Sequence, residues 1–255
     1  MRERWSIFLL CGVLLWLLAH AVGLFSHEFA HTFSALALGW KQNPFALDWG
    51  SASPLNILLQ QEVDENVDYA PVFASGHGID AGLIALAGAA LGNMVVSLGA
   101  GLAAFTAARK RASVAVGCFG YWLVVMSVGN LLSYVPLRVF TSHADMHTVQ
   151  QGFGWTPMQV ILFIGIPFFL AVLWFFLRFQ PRALHALFPV SAPRRYVMVV
   201  LTSLTVFGFF AVAGLSGYGE TSHVLSLGFL LALLPLSLVS GMLLSSPRSA
   251  ATVRS

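Results

Sequence analysis

The chain has 255 residues, of which 58% are hydrophobic and only 9% charged, and its mean hydropathy is +0.81. A soluble domain carries roughly a quarter charged residues, so this chain lacks the polar surface to face water and reads as an integral membrane protein. Its net charge of +3 and pI near 9.1 do not point to nucleic acid, because the basic residues sit in short clusters between apolar runs.

Six apolar segments follow in chain order, each long enough for the ~20 residues that a spanning helix needs. They run over Trp5–Leu38, Ala81–Ala108, Ala112–Leu137, Met158–Phe179, Tyr196–Leu215 and His223–Leu244. The fold expected is all-α: a polytopic helical membrane protein of about six transmembrane helices, with the lipid bilayer as its solvent. It is read as a single membrane-embedded domain over 1–255, with a core in 1–150 and three additional helices in 151–255.

The first segment follows Arg2 and Arg4 and looks like a signal peptide, but cleavage after Ala21 would strand its most informative residues at a bare terminus. It is therefore expected to stay as an uncleaved span. At 1.5 Å per residue it is about 50 Å long against a hydrocarbon core of about 30 Å. That excess predicts a tilt, a bend at Gly23 or an interfacial first turn, with Gly39 marking the end.

Inside this segment stands His27-Glu28-Phe29-Ala30-His31, an H-E-x-x-H motif, with Glu28 the only charged side chain between Trp5 and Leu38. Positions i and i+4 share a helix face, so both imidazoles can hold one metal ion while the Glu28 carboxylate reaches water at it. In a soluble helix the pattern arises by chance often. In a membrane span each ionisable group costs about 2.5–3.5 kcal/mol on insertion scales, which demands a partner or a purpose. His20, one heptad earlier, reads as a polar cavity-lining or packed residue.

The long loop 40–80 follows. Asn43-Pro44, Ser53-Pro54 and Ser75-Gly76-His77-Gly78 mark turns, and Phe45–Trp49 and Tyr69–Phe73 read as short strands or membrane-dipping segments. A loop of this length is expected to serve as a lid or a substrate-pairing edge. Gly82, Gly88 and Gly92 suit close helix packing. Cys11 and Cys118 lie in apolar runs and indicate neither a disulfide framework nor a thiolate metal site.

Charge orients the spans. With both termini cytoplasmic, eleven of the thirteen basic residues fall inside, and only Lys41 and Arg138 fall outside, beside the acidic stretch Glu62, Asp64, Glu65 and Asp68. The motif then lies towards the outer half of the bilayer. The third apolar segment returns to that same side at Thr141-Ser142-His143-Ala144-Asp145-Met146-His147. A catalytic zinc takes three protein ligands and an open position, and Asp145 is the first candidate for the third, ahead of His147 and His143.

These residues resemble the site-2 protease family of intramembrane zinc metalloproteases, especially its compact bacterial branch. The H-E-x-x-H of His27 to His31 matches the family's motif on a membrane helix. Asn130-Leu131-Leu132-Ser133-Tyr134-Val135-Pro136 resembles the opening of its later ligand motif, and Asp145 its ligand. Met146 stands where the family has Gly, and the interval from Asn130 to Asp145 is longer. Ala87-Gly88-Ala89-Ala90-Leu91-Gly92-Asn93 resembles the small-residue helix that packs near the family's site. The resemblance covers roughly the first 150 residues.

It implies a zinc metallopeptidase with one Zn2+ per chain, held by His27, His31 and Asp145, that hydrolyses peptide bonds of membrane protein substrates. Glu28 acts as general base and then acid, while Asn93, Asn130, His143 and His147 are candidates to hold the oxyanion or orient a ligand. Apart from the resemblance, the short loops and compact length point to a prokaryotic inner membrane, and no nucleic-acid partner is expected. Two other readings compete: a non-catalytic relative that binds membrane partners, and a metal or ion transporter. Spans four to six read as nearly devoid of polar residues, which counts against transport.

Overall fold

The structure, a computed structural model, describes residues 5–246. Among them are six helices long and apolar enough to cross a membrane: α1 (Trp5–Ala37), α4 (Gly78–Arg111), α5 (Val114–Leu137), α7 (Pro157–Leu187), α8 (Ala192–Leu215) and α9 (Glu220–Leu244). Three short helices complete the set, α2 (Pro54–Leu59), α3 (Tyr69–Ala74) and α6 (Asp145–Phe153). The described residues form no β-strand, only an isolated antiparallel bridge between Asp48 and Asp64. The protein is an all-α, multi-pass integral membrane protein. The expected spans agree with the observed ones except at α7, which runs on through Gln180–Leu187.

Two compact units divide the chain, Met1–Ser127 and Val128–Ser255. In the first, α1 is one uninterrupted helix of 33 residues. It is unbroken at Gly23, and it ends as expected, with Gly39 at φ +82° and Trp40 N–H donating to Ala35 O at 2.8 Å. Its outward residues are apolar, with Leu10, Val13, Leu14 and Leu18 all more than half exposed. Its buried face carries His20, His27, Glu28, His31 and Thr32. Polar-in, apolar-out is what lipid selects, because hydrocarbon solvates Leu and rejects imidazole.

Helix α4 packs along that face, and from Gly88 to Ser97 its turns are wound wider, as a π-helix. Gly92 makes the approach possible: a Cβ there would strike the Ser26 carbonyl and the backbone of His27. Further on, Gly101 and Gly120 bring α4 against α5 in the same way.

The loop between α1 and α4 folds back along α1. Phe45 packs on Phe29 and Phe33, Trp49 packs on Phe25 at 5.8 Å, and Leu59 O lies 2.8 Å from His20 Nε2. Seventeen residues separate His20 from Ala37, so the loop retraces about 25 Å of the helix before returning. Phe45–Trp49 is irregular backbone carrying one half of the Asp48–Asp64 bridge, and Tyr69–Ala74 is helical because Asp68 caps it through Ala70 N–H. Ser53 caps α2 with Pro54 in its first turn, and Leu55, Ile57 and Leu58 on α2 remain exposed.

In the second unit, α5 breaks at Val135, whose φ −134° and ψ 117° are extended, as a residue before proline prefers. Thr156 and Gln159 form a capping box that starts α7. Gly129 admits Phe210, and Gly241 admits Val199. Arg195 is buried and donates to the carbonyls of Ser245, Phe188 and Pro189, closing helix ends with a charged fork. Spans four to six are less apolar inside than expected: Gln180, Thr202, Ser203, Thr205, Ser222, Ser226 and Ser237 are all buried there.

Candidate metal centre

Four of the eight residues singled out from the sequence lie in the first unit. His27 and His31, one turn apart on α1, turn their rings towards each other with Nε2 atoms 3.0 Å apart, and both are buried along with Glu28. Each ring is held by its other nitrogen. His31 Nδ1 lies 2.6 Å from Ile84 O, and since a carbonyl only accepts, Nδ1 carries the proton and Nε2 presents a bare lone pair.

His27 Nδ1 lies 3.0 Å from the side-chain amide of Asn93, a fully buried residue whose Oδ1 has no hydrogen-bond partner. Turning that amide over would place Oδ1 on Nδ1–H and leave His27 Nε2 bare as well. Two lone pairs would then face each other at 3.0 Å, which calls for a cation between them. Two nitrogens at ~2.05 Å from a tetrahedral metal lie ~3.3 Å apart, so the rings need move only a few tenths of an ångström. The donor set fits zinc: two imidazoles oriented by a carbonyl and an amide, with carboxylates beside them.

Gly88 makes room for this. A Cβ at position 88 would collide with Nε2 of both His31 and His27. The sequence pattern placed Gly88 among packing glycines, and the structure gives it the more specific position, over the two ligating atoms.

A residue that the sequence reading passed over also arrives here. Ligand atoms of Glu28, His31 and Glu65 all lie within 4.8 Å of one another, and all three residues are buried. Glu65 had figured only in the charge count of its loop. Its neighbours Asp64 and Asn66 are exposed, and Asn66 at φ +52° turns the chain so that Glu65 alone points inward. Tyr69 donates its hydroxyl to Glu65 Oε1 at 3.0 Å. Lys41 Nζ donates to the carbonyls of Ala46, Glu65 and Asn66, and so ties the two arms of the loop together. Outside the site, Asn56 does the same at the tip through Trp49 O, Ser51 O and Glu62 N–H.

Along α1, beside the motif, runs an apolar groove of about 650 Å3 lined by Phe25, Ser26, Phe29, Ala30 and Phe33, with Leu91 of α4. It opens on the flank of the helix that carries His27 and His31.

The other four candidates belong to the second unit. Asn130 is half-buried on α5. Asp145 is the first residue of α6, and it follows Ala144 at φ 67° and ψ 174°, a conformation natural to glycine that costs an alanine about 1–3 kcal/mol. Strain of that size beside a candidate ligand fits a position fixed for function. His143 stacks on Tyr218 at 5.0 Å, and its Nδ1 pairs with Thr141 Oγ1 at 2.8 Å. His147 lies in the first turn of α6.

Arg138 lies under the rings of Tyr134 and Tyr218, 4.9 and 5.2 Å from their centroids. Burial works against its charge, but Tyr134, Tyr218 and Asp145 outweigh it and raise its pKa, so a fixed cation faces Asp145.

No family model, no curated protein and no solved structure matches the chain.

Proposed function

We propose that the protein is an intramembrane zinc metallopeptidase of the site-2 protease type, with His27 and His31 as two ligands of one zinc, Asp145 as the third, and Glu28 as the catalytic acid and base. The observation that carries this reading is the histidine pair: two buried imidazoles in a membrane span, turned Nε2 to Nε2, with Ile84 and Asn93 holding their outer nitrogens. Zinc supplies a Lewis acid that makes water nucleophilic near neutral pH and polarises a carbonyl. Glu28 takes the water proton and returns it to the leaving amine. Asn93, committed to His27, orients a ligand, while Asn130 and His147 are the candidates to hold the oxyanion.

The substrate class proposed is a membrane protein whose spanning helix unwinds locally, since an intact helix hides its carbonyls in its own hydrogen bonds. The apolar groove beside Ser26 and Ala30 suits such a segment. The membrane proposed is a prokaryotic inner membrane, with the centre in its outer half.

The test is metal content and cleavage together. Detergent-purified protein should hold about one zinc per chain, lost in His27→Ala and Asp145→Ala. Glu28→Gln should keep the zinc and cleave nothing; a fully active Glu28→Gln protein would sink the mechanism. A second reading, a non-catalytic relative that binds membrane partners, has one observation in its favour. With Asn93 donating to His27, the Nε2 atoms form an ordinary hydrogen bond that needs no metal. Wild-type protein that takes up no zinc after resupply would put that reading first.

A further inference from the structure

We propose that Glu65 is a metal ligand in the resting protein, and that the loop carrying it is a built-in plug which must withdraw before a substrate carbonyl can reach the centre. The proposal rests on the metal-centre reading above and adds the regulation of that site.

Three observations carry it. Glu65 is buried in a stretch where Gln61, Glu62, Asp64, Asn66 and Asp68 are exposed, so the fold spends its one inward turn on a carboxylate. That carboxylate is delivered to Glu28 and His31, with ligand atoms of all three within 4.8 Å of one another. Two buried carboxylates so close must either share a proton or enclose a cation, and the imidazole of His31 beside them supplies the third donor that a divalent cation takes. The delivery is also engineered from outside the site: Lys41 binds three loop carbonyls, Asp48 and Asp64 exchange both backbone hydrogen bonds at 3.0 and 2.9 Å, and Tyr69 orients Glu65 Oε1. These contacts lie within the loop, so it can leave as a body once Phe45 and Trp49 lift from Phe29, Phe33 and Phe25 and the Leu59–His20 hydrogen bond opens.

A catalytic zinc keeps one position open, and a closed set of four protein ligands is the structural kind. Glu65, gathered with His31 and Glu28, brings a protein carboxylate to where that open position would otherwise take water, and its departure restores the opening. The chain would thus hold its metal tightly while idle and expose it only when something, such as a substrate pairing with the loop, draws the loop away.

The experiment uses full-length protein in detergent, loaded with zinc or with cobalt as a spectroscopic probe. Glu65→Gln is close to isosteric and should lower zinc affinity by roughly tenfold or more, and speed zinc loss to a chelator by a similar factor. It should also change the visible absorption of the cobalt protein, which reports coordination number. Lys41→Met, which keeps the carboxylate but unties its loop, should move the chelator rate in the same direction by less, and carries the test if the Glu65 variant does not fold. Zinc affinity, chelator rate and cobalt spectrum all unchanged in Glu65→Gln would overturn the plug while leaving the metal centre standing. Wild-type protein that binds neither metal would overturn both.

Discussion

At the residue scale, the glycines of α4 separate two jobs that look alike in sequence. Gly88 and Gly92 are one turn apart and both face α1, yet a Cβ meets different things at each. At position 88 it meets imidazole nitrogens, which yield only by breaking the hydrogen bonds to Ile84 O and Asn93; at position 92 it meets backbone, which cannot yield. Gly88→Ala should therefore fold with some loss of thermal stability and fail to hold zinc, because the rings are pushed out of register. Gly92→Ala should prise the helices apart and cost about 1–3 kcal/mol, seen as a lowered Tm. Gly99→Ala, with nothing within 4 Å, is the control and should be neutral or gain up to about 1 kcal/mol of helix propensity. Metal content and melting temperature measured on the three variants check all of this. The His27–His31 pair was legible in sequence because helical spacing alone puts i and i+4 on one face. Glu65 was not: nothing in Asp64-Glu65-Asn66 distinguishes the inward residue, and only the left-handed turn at Asn66 decides it.

At the scale of elements, the spanning helices were readable because lipid imposes one rule on every residue of a span, whereas the returning loop obeys none. Its segments match neither strand nor helix periodicity over any useful length, and the contacts that shape it join residues far apart in sequence, such as Ser51 with Glu62 and Leu59 with His20. One of those contacts makes the loop sensitive to acid. Ser51 N–H donates to Glu62 Oε2 at 2.7 Å, and the Ser51 hydrogen bonds hold the Glu62 carboxyl below the usual glutamate range. A carboxyl with a lowered folded-state pKa contributes stability that is complete above its unfolded value and lost as pH falls through the folded one. Protection of the Ser51 amide from hydrogen exchange, corrected for intrinsic rates, should therefore hold steady from neutral pH down to the ordinary glutamate range and fall below it. In Glu62→Gln it should be low throughout and lack that step. Glu62 is fully exposed, so the effect belongs to the loop and not to global unfolding.

At the scale of the whole molecule, the consequence to test is orientation, because it decides which compartment the loop faces. Arg109, Lys110 and Arg111 close α4, Arg178 and Arg182 lie in the last turns of α7, and Arg194 and Arg195 open α8, all at ends assigned to the cytoplasm. Lys41 sits at the opposite end of α1. A basic residue is harder to translocate than an acidic one, so the acidic loop and the cluster after α4 should lie on opposite sides. His31 stands six residues before the end of α1, about 9 Å along the axis, so with the loop outside the proposed centre is expected at the depth of the outer leaflet. Single cysteines at two exposed positions, Gln61→Cys in the loop and Val190→Cys between α7 and α8, report this in a background with Cys11 and Cys118 replaced. In sealed right-side-out vesicles a membrane-impermeant maleimide should label position 61 at once and position 190 only after lysis. The reverse pattern would place the loop in the cytoplasm, and any segment that draws it from the centre would then have to act from that side.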